Sequence, residues 1–367
     1  RAPSPACMIA SRLWLSVYGG RPRLRKGRPF PHDYNSTHDT SRARRAQIPK
    51  GDSVAAKCNI MCDSTCDFTA AQAAEKNVRI LPFHYVEADR PDGGLSGDDD
   101  LFQSRSAHEF YDAIRRGACP MTSQPSQLEY DEAFREAYES GVPTVLFCIS
   151  SGISGGYEGA LMSLQRLKDE HPDEEVRIYV VDSLLASTAL TLFLDEACAQ
   201  RDAGLNAEQL AMWAEEARYH VHTLFMVDNL DALHRGGRLP KGVAVIGDAL
   251  DVKALLHFNL DGTLGIRAVA RGRKKGMRKL ADYFHKNREL EPYGHVAAVG
   301  DADAAEDGFN VASELKRVDP EMRVLRPTIG PTIGSHVGPG MVSCCFWGND
   351  RRKNKQVTKV KGVRETK

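Results

Sequence analysis

The sequence from residue 144 to residue 157 reads TVLFCISSGISGGY. Its first six residues, all apolar or β-branched, predict a strand that is buried on both faces, as in a parallel sheet. The small polar residues 150–155 predict a loop, and residues 156–171 predict a helix. A strand, a polar loop and a helix in this order form the repeating unit of an α/β fold.

The same unit recurs on both sides of this stretch. The predicted elements are strands at 59–62, 78–85 and 176–181 and helices at 70–77, 107–117 and 128–140. Short apolar strands that alternate with helices imply a parallel sheet covered by helices on both faces. We expect this arrangement in an N-terminal α/β domain, residues 57–205.

The pattern changes in the second half of the chain. The predicted elements there are helices at 187–201, 207–220, 271–287 and 303–318, strands at 222–227, 295–299, 323–327 and 341–347, and a hairpin at 252–270. The hairpin turns at Asp261-Gly262, and its adjacent strands imply a mixed sheet. The prediction is a two-domain α/β protein, with a C-terminal α/β domain at residues 206–348 and the interdomain region between about 182 and 220.

The two ends of the chain lack the apolar periodicity of a core. Residues 1–56 are rich in Arg, Pro and Ser, and we expect a disordered or non-native extension, with a cleaved targeting peptide as the alternative. Their apolar run, residues 9–18, is interrupted by Arg12 and is too short to span a bilayer. Residues 349–367 are predicted to form a solvated basic tail.

Composition excludes some classes of partner. The 49 basic residues balance the 49 acidic residues, so no overall field favours nucleic acid or an anionic membrane. Nine cysteines without the spacing of a disulfide scaffold predict free thiols and a cytoplasmic location. No transmembrane segment is expected.

Three small polar segments fall at predicted strand ends: residues 63–65, 122–126 and 150–156. In an open parallel sheet, ligands bind outside the carboxyl ends of the strands. Hydroxyl groups and free backbone N–H groups at a helix start favour an anion such as a carboxylate or a phosphate. The alternative for each segment is that Ser and Thr only cap the following helix.

The motifs, taken together and in this order, resemble the DegV family. They are DST at 63–65, TSQPS at 122–126, ISSGISGGY at 149–157, VDS at 181–183, RGGR at 235–238 and IGPTIGSHVGPG at 329–340. The resemblance covers about residues 57–348. Two positions depart from the family pattern: Gly156 replaces a common Thr, and Pro240 replaces a common Ser.

The resemblance implies a protein that binds a long-chain fatty acid. Its tail would lie in the N-terminal domain and its carboxylate near the interdomain cleft, held by Thr122 and Ser154. Arg238 and a protonated His336 are the candidate charge partners. The supporting positions are Ser123, Ser151 and Gly155. Without the family, Arg238 is better explained as a loop arginine packed against carbonyls and His336 as a structural histidine in a glycine-rich turn.

The resemblance also implies that the chain is not an enzyme and has no cofactor or metal. In some members the bound fatty acid is presented to a separate ATP-dependent kinase, which makes acyl phosphate for phospholipid synthesis. We therefore expect a lipid carrier or the substrate-loading subunit of a bacterial fatty acid kinase. Fatty acid and kinase are the expected partners, and nucleic acid is not.

A serine hydrolase is the main alternative. Residues 152–156 fit G-x-S-x-G between a strand and a helix, with Ser154 as the nucleophile. The pattern is short, and the sequence identifies no acid to orient His336. Labelling of Ser154 by a fluorophosphonate, with ester turnover, would favour this class.

A metal or redox protein is a third class. Cys58, Cys62 and Cys66 recur every four residues, but on a strand and turn this spacing does not gather side chains, so buried small hydrophobes are the better interpretation. The acidic triplet Asp98 to Asp100 is better explained as a solvated loop than as a metal site.

Overall fold

The computed structural model describes residues 58–87, 94–240, 242–245, 251–354 and 363–365. The predicted extension, residues 1–56, lies outside the described residues, as does much of the basic tail. The strands are β1 (Asn59–Asp63), β2 (Val78–Leu81), β3 (His84–Val86), β4 (Gly97–Asp98), β5 (Met121–Ser123), β6 (Thr144–Cys148), β7 (Ile178–Asp182), β8 (Val221–Val227), β9 (Val243–Val245), β10 (Val252–Phe258), β11 (Leu264–Arg271), β12 (Val296–Asp301), β13 (Arg323–Leu325), β14 (Val342–Trp347) and β15 (Val363–Glu365).

Helices connect most of these strands. They are α1 (Ala70–Glu75), α2 (Ala107–Arg115), α3 (Gln127–Glu139), α4 (Gly156–Glu170), α5 (Thr188–Asp202), α6 (Ala207–Ala217), α7 (Asp231–Arg235), α8 (Arg273–Asn287), α9 (Ala305–Val318) and α10 (Pro331–Val337). Short 3₁₀ turns lie at Ser64–Cys66 and Arg351–Lys353. Capping boxes begin α1, α2, α3 and α6, in which a Ser, Thr or Asn side chain accepts from the third backbone N–H.

The first sheet is parallel, as the sequence predicted. Its order is β2-β1-β6-β7, and every neighbouring pair is parallel. All five residues of β6 are buried, which agrees with a strand covered by helices on both faces. The predicted parallel sheet and its α/β class are confirmed.

The second sheet is mixed, which confirms the prediction from the hairpin. Its order is β11-β10-β8-β14-β12-β13, and β12 with β13 is its parallel pair. Side chains of β8 alternate between its two faces. Phe225 packs in the core shared with the parallel sheet, whereas Leu224 and Met226 pack in a separate core with residues of α8 and α9. The domain boundary between residues 205 and 206 stays a prediction.

The predicted strand at 78–85 was wrong in one respect, because the structure divides it into β2 and β3. Pro82 lies between them and has no backbone N–H to donate to a continuous ladder. Phe83 N donates instead to Ser64 Oγ at 3.0 Å. Strand β3 then joins a small antiparallel sheet with β4 and β5, in which Tyr85 pairs with Thr122.

The glycine-rich segment near residue 330 forms helix α10 rather than a turn. Pro331 occupies its first turn, where a missing N–H has no consequence. Two buried carboxylates accept from its N-terminal N–H groups: Asp67 Oδ1 from Gly330 N at 2.9 Å, and Asp99 Oδ2 from Thr332 N at 3.0 Å. Asp99 is fully buried, so a solvated loop does not describe the whole acidic triplet.

Burial raises the pKa of Asp67 to about 8 and that of Asp99 to about 6, both from an ordinary value of 3.8. A carboxyl group with a raised pKa in the folded protein stabilises the fold below its unfolded pKa, and that stability is lost as the pH rises through the folded pKa. We therefore predict that Asp67→Asn becomes more stable relative to the parent protein as the pH rises from about 4 to about 8. Thermal unfolding of both proteins across this range measures the difference.

Asp131→Asn is the control for this experiment. Burial alone would raise the pKa of Asp131. Its hydrogen bonds, of which the one from Arg166 has the largest influence, hold that pKa below its ordinary value. The stability that this lowered pKa provides is lost only as the pH falls below about 4, so the difference between Asp131→Asn and the parent should stay nearly constant between pH 4 and pH 8. If the thermal stabilities of Asp67→Asn and the parent change equally with pH, the assignment of a raised pKa to Asp67 is contradicted.

Candidate functional site

A largely apolar cavity lies between the parallel sheet and the mixed sheet. It holds about 640 Å³ of empty space, part of which opens to solvent. Its apolar walls include Phe83, Ile149 and Ile153 from the first half of the chain and Phe225, Phe258 and Met341 from the second half. The resemblance implied a lipid tail within the N-terminal domain, whereas this cavity takes its walls from both halves.

The loop after β6, residues 150–155, packs against the β10–β11 hairpin of the mixed sheet. Ser150 Oγ donates to Gly262 O at 2.8 Å, at the tip of the β10–β11 hairpin. A Cβ atom on Gly152 would overlap the backbone of Gly262. Because only glycine permits this approach, the loop that carries Ile153 and Ser154 is fixed beside the second half of the chain.

Thr122 and His336 meet at the cavity wall. Thr122 lies on β5 and His336 in the last turn of α10, and Thr122 Oγ1 is 2.7 Å from His336 Nε2. Successive side chains of a strand point to opposite faces, so Ser123 is exposed on the far side of β5. The structure therefore brings together two residues that are 214 positions apart in sequence.

His336 is neutral at pH 7. Burial, and then the charges of Arg238 and Arg235, lower the pKa of His336 to about 4. This lowered pKa disagrees with the protonated state that was predicted for His336, because the sequence did not show how deeply the ring would be buried. A neutral imidazole still exchanges a hydrogen bond with Thr122.

Arg238 supplies a cation at the same wall. Its Nε donates to Ile153 O at 3.0 Å and its Nη1 donates to Gly236 O at 2.6 Å. These bonds match the expectation, made without the family resemblance, that Arg238 is a loop arginine packed against carbonyls. The Arg238 side chain also lines the cavity. A guanidinium group has five donors, so Arg238 keeps donors for a ligand.

Ser154 lines the cavity at the start of α4. Its Oγ accepts from Gly156 N at 3.2 Å, as expected of a hydroxyl near a helix N-terminus. The hydroxyl hydrogen remains to donate to an anion, and the helix dipole favours negative charge at this position. Thr122, Ser154, Arg238 and His336 thus all lie on the wall of one cavity.

The three predicted supporting residues lie outside this wall. Ser151 binds Asp182, with Oγ donating to Oδ2 at 2.5 Å and N donating to Oδ1 at 3.1 Å. Gly155 precedes α4, and a Cβ atom there would lie 2.9 Å from Gln124 Oε1. Together with the exposed Ser123, these residues shape the loops around the cavity rather than line it.

Sequence reasoning missed the polar residues on the floor of the cavity. Ser343 Oγ donates to Thr188 Oγ1 at 2.7 Å, while the buried Oγ1 of Thr223 has no hydrogen-bond partner among the described residues. Thr223 and Ser343 line the cavity from neighbouring strands β8 and β14. Their alternation with apolar residues was the sequence signal that could have identified them.

The contacts of Ser154 do not form a hydrolase triad. Within the described segments, no histidine hydrogen-bonds to Ser154, and His336 Nε2 faces Thr122 instead. The other ring nitrogen, Nδ1, lies against Gly236, where a carboxylate would have to stand to orient the ring. The geometry therefore disfavours the serine hydrolase interpretation.

The eight cysteines of the described residues are free thiols, and Cys7 lies outside those residues. No group of three or more His, Cys, Asp or Glu side chains in these segments is placed to hold a metal ion. None of the helices described is both long enough and apolar enough to cross a bilayer.

The fold and this site define an α/β protein with a largely apolar cavity and a polar corner formed by Thr122, Ser154, Arg238 and His336. A family model described as "Uncharacterised protein, DegV family" matches residues 57–349. A DegV domain-containing protein of Clostridium perfringens is 31% identical over 253 residues, which cover 69% of this chain and 86% of that relative. The chain belongs to the DegV family.

Solved structures show the same fold. A Thermotoga maritima protein, whose structure is described as revealing a fatty acid binding function, is 25% identical with a TM-score of 0.64, and the match covers 79% of this chain and 99% of that protein. The fatty acid kinase B3 protein of Streptococcus pneumoniae, loaded with linoleic acid, is 20% identical with a TM-score of 0.67, covering 80% and 100%. At that identity the second likeness shows the fold alone.

We predict that Gly236→Ala displaces His336. A Cβ atom at Gly236 would overlap His336 Nδ1 and lie 2.9 Å from Cε1, so the ring must move away from Thr122. Overpacking of this kind costs about 1–3 kcal/mol. Urea unfolding measures the loss of stability, and a crystal structure of the variant measures the distance between Thr122 and His336.

Gly237→Ala is the matched control. No atom lies within 4 Å of its added Cβ, and its φ of +72° adds only backbone strain. It should lose about 1 kcal/mol without moving His336. An unchanged Thr122–His336 contact in Gly236→Ala would show that this glycine does not position the ring.

Proposed function

We propose that this protein binds a long-chain fatty acid, with the acyl chain in the cavity and the carboxylate at Thr122, Ser154, Arg238 and His336. The observation that carries the proposal is that these four polar side chains line one largely apolar cavity, with Thr122 Oγ1 2.7 Å from His336 Nε2. The fatty acid binding function described for the Thermotoga maritima relative supports it.

The acyl chain provides most of the affinity in this proposal. Burying about fourteen methylene groups at ~0.8 kcal/mol each contributes on the order of 10 kcal/mol before ordering costs. A hydrogen bond to a charged group contributes only about 1.5–3 kcal/mol. The cavity therefore sets affinity and chain-length preference, and the polar corner sets the direction in which the ligand lies.

Each polar residue has a separate role at the carboxylate. The hydroxyl groups of Thr122 and Ser154 donate hydrogen bonds to its oxygens. Arg238 supplies the positive charge that compensates a carboxylate withdrawn from water. The neutral His336 orients the Thr122 hydroxyl through the 2.7 Å contact between them.

The protein acts without turnover of its own in this proposal, as a carrier that presents the fatty acid to a separate ATP-dependent kinase. That kinase forms the acyl phosphate that enters phospholipid synthesis. The family resemblance supports this step, and the name of the Streptococcus pneumoniae neighbour agrees with it. The carrier needs no cofactor or metal of its own and acts in the cytoplasm.

We predict that the protein purifies with bound fatty acid. Apolar burial of the acyl chain, together with the hydrogen bonds and the positive charge at its carboxylate, opposes dissociation during purification. Denaturation of the folded protein, extraction with organic solvent and mass spectrometry would identify the acyl chain and its stoichiometry. A folded sample that yields no acyl chain would contradict the proposed function.

We also predict that Ser154→Ala and Thr122→Val each weaken fatty acid binding by about 10-fold or more, because each removes a hydrogen bond to a charged group. Equilibrium binding of a fluorescent fatty acid to delipidated protein measures the effect, and circular dichroism checks the fold. Ser123→Ala is the control, since Ser123 adjoins Thr122 on β5 but faces solvent. Equal affinities for all three variants and the parent would rule out the assigned roles.

A further inference from the structure

A second polar cluster lies on the opposite face of the mixed sheet from the cavity. His222 precedes Thr223 on β8, so its side chain points away from the cavity. Its ring stacks on Phe346 of β14, with ring centroids 5.4 Å apart. His222 Nδ1 lies 3.1 Å from Tyr283 Oη, and Nε2 lies 2.8 Å from Asn349 O.

Arg351 is buried beside this histidine with part of its guanidinium group unpaired. Only 9% of the residue is exposed. Its Nη1 donates to Phe258 O at 2.8 Å, but Nε and Nη2 are buried and have no hydrogen-bond partner in the described part of the chain. Buried donors of a charged group are ordinarily satisfied, so these two atoms indicate a missing acceptor.

Arg267 completes the cluster from β11. Its guanidinium carbon lies 5.7 Å from the centroid of the Tyr283 ring, which also contacts His222. His257, directly before Phe258, is close enough to both arginines for their charges to act on it. Arg267 and His222 therefore both contact Tyr283, and the charges of Arg267 and Arg351 both act on His257.

Positive charge dominates this region. Burial first, and then the charges of Arg351 and Arg267, lower the pKa of His222 to about 4, and burial and the same arginines do so for His257. The neighbouring carboxylate, Asp350, is engaged by Arg352, with Nε 2.9 Å from Oδ1 and Nη2 3.0 Å from Oδ2. At pH 7 the two histidines are neutral and the two arginines carry the charge.

We propose that Arg351 and Arg267, flanked by His222 and His257, form a binding site for a phosphate group. The unpaired Nε and Nη2 of Arg351 are adjacent donors of the planar fork that binds two oxygens of one oxyanion. Two guanidinium charges match the roughly two negative charges of phosphate at pH 7 better than the single charge of a carboxylate. The site does not depend on the fatty acid cavity, because it lies on the other side of the sheet.

The test is isothermal titration of the full chain, freed of phosphate by dialysis, with inorganic phosphate at constant ionic strength and pH 7. We expect saturable binding of one phosphate, weakened about tenfold or more in Arg351→Gln and in Arg267→Gln. Arg352→Gln is the control, because Arg352 is the adjacent arginine but is already paired with Asp350 and Glu216. It should bind phosphate as the parent does.

Parallel titrations distinguish free phosphate from the phosphate group of a larger ligand. Tighter binding of glycerol phosphate than of inorganic phosphate would assign the site to a phosphomonoester, and the reverse order would assign it to the free ion. The imidazole signals of His222 and His257 in NMR should shift on binding, which tests the site even if Arg351→Gln does not fold. Absence of saturable binding, or binding unchanged in Arg267→Gln with unmoved imidazole signals, would overturn the proposal.

Discussion

Two buried carboxylates at the start of α10 hold the site together. Asp67 follows β1 and Asp99 follows β4, and both accept from backbone N–H groups at the start of this helix, 263 and 233 residues away in sequence. Tyr111 adds a hydrogen bond from Oη to Ile329 O at 2.6 Å. Because His336 lies in the last turn of α10, the contacts at its first turn fix where the imidazole meets Thr122.

Helix α10 also holds the polar side chain of His336 at the wall of a largely apolar cavity. Asp67 and Asp99 accept from N–H groups at its start that lack partners within the helix, and Asp99, with a pKa of about 6, is ionised at pH 7 and also complements the positive end of the helix dipole. Ser187 Oγ also donates to Asp67 Oδ2 at 2.5 Å, immediately before α5. The polar groups are thus fixed by partners within the protein before any ligand arrives, which limits the ordering that binding requires.

The sequence predicted the parallel sheet and the mixed sheet, because apolar strands and polar loops follow local rules. The four residues on the cavity wall, Thr122, Ser154, Arg238 and His336, came instead from the resemblance to the DegV family. The sequence did not predict that residues 78–85 form two strands or that α10 is a helix, since both depend on long-range partners such as Ser64 and Asp99. The neutral His336 was missed for the same reason. A pKa depends on charges brought close only by folding.

The charge of the side chains on the cavity wall has a consequence for ligand choice under the proposed function. With His336 uncharged, Arg238 is the cation at the polar corner, and an ionised fatty acid neutralises it. A methyl ester or a fatty alcohol of the same length fills the apolar space equally well but leaves the guanidinium without a counter-ion. The corner therefore discriminates free acids from their neutral derivatives, and this selectivity is independent of chain length.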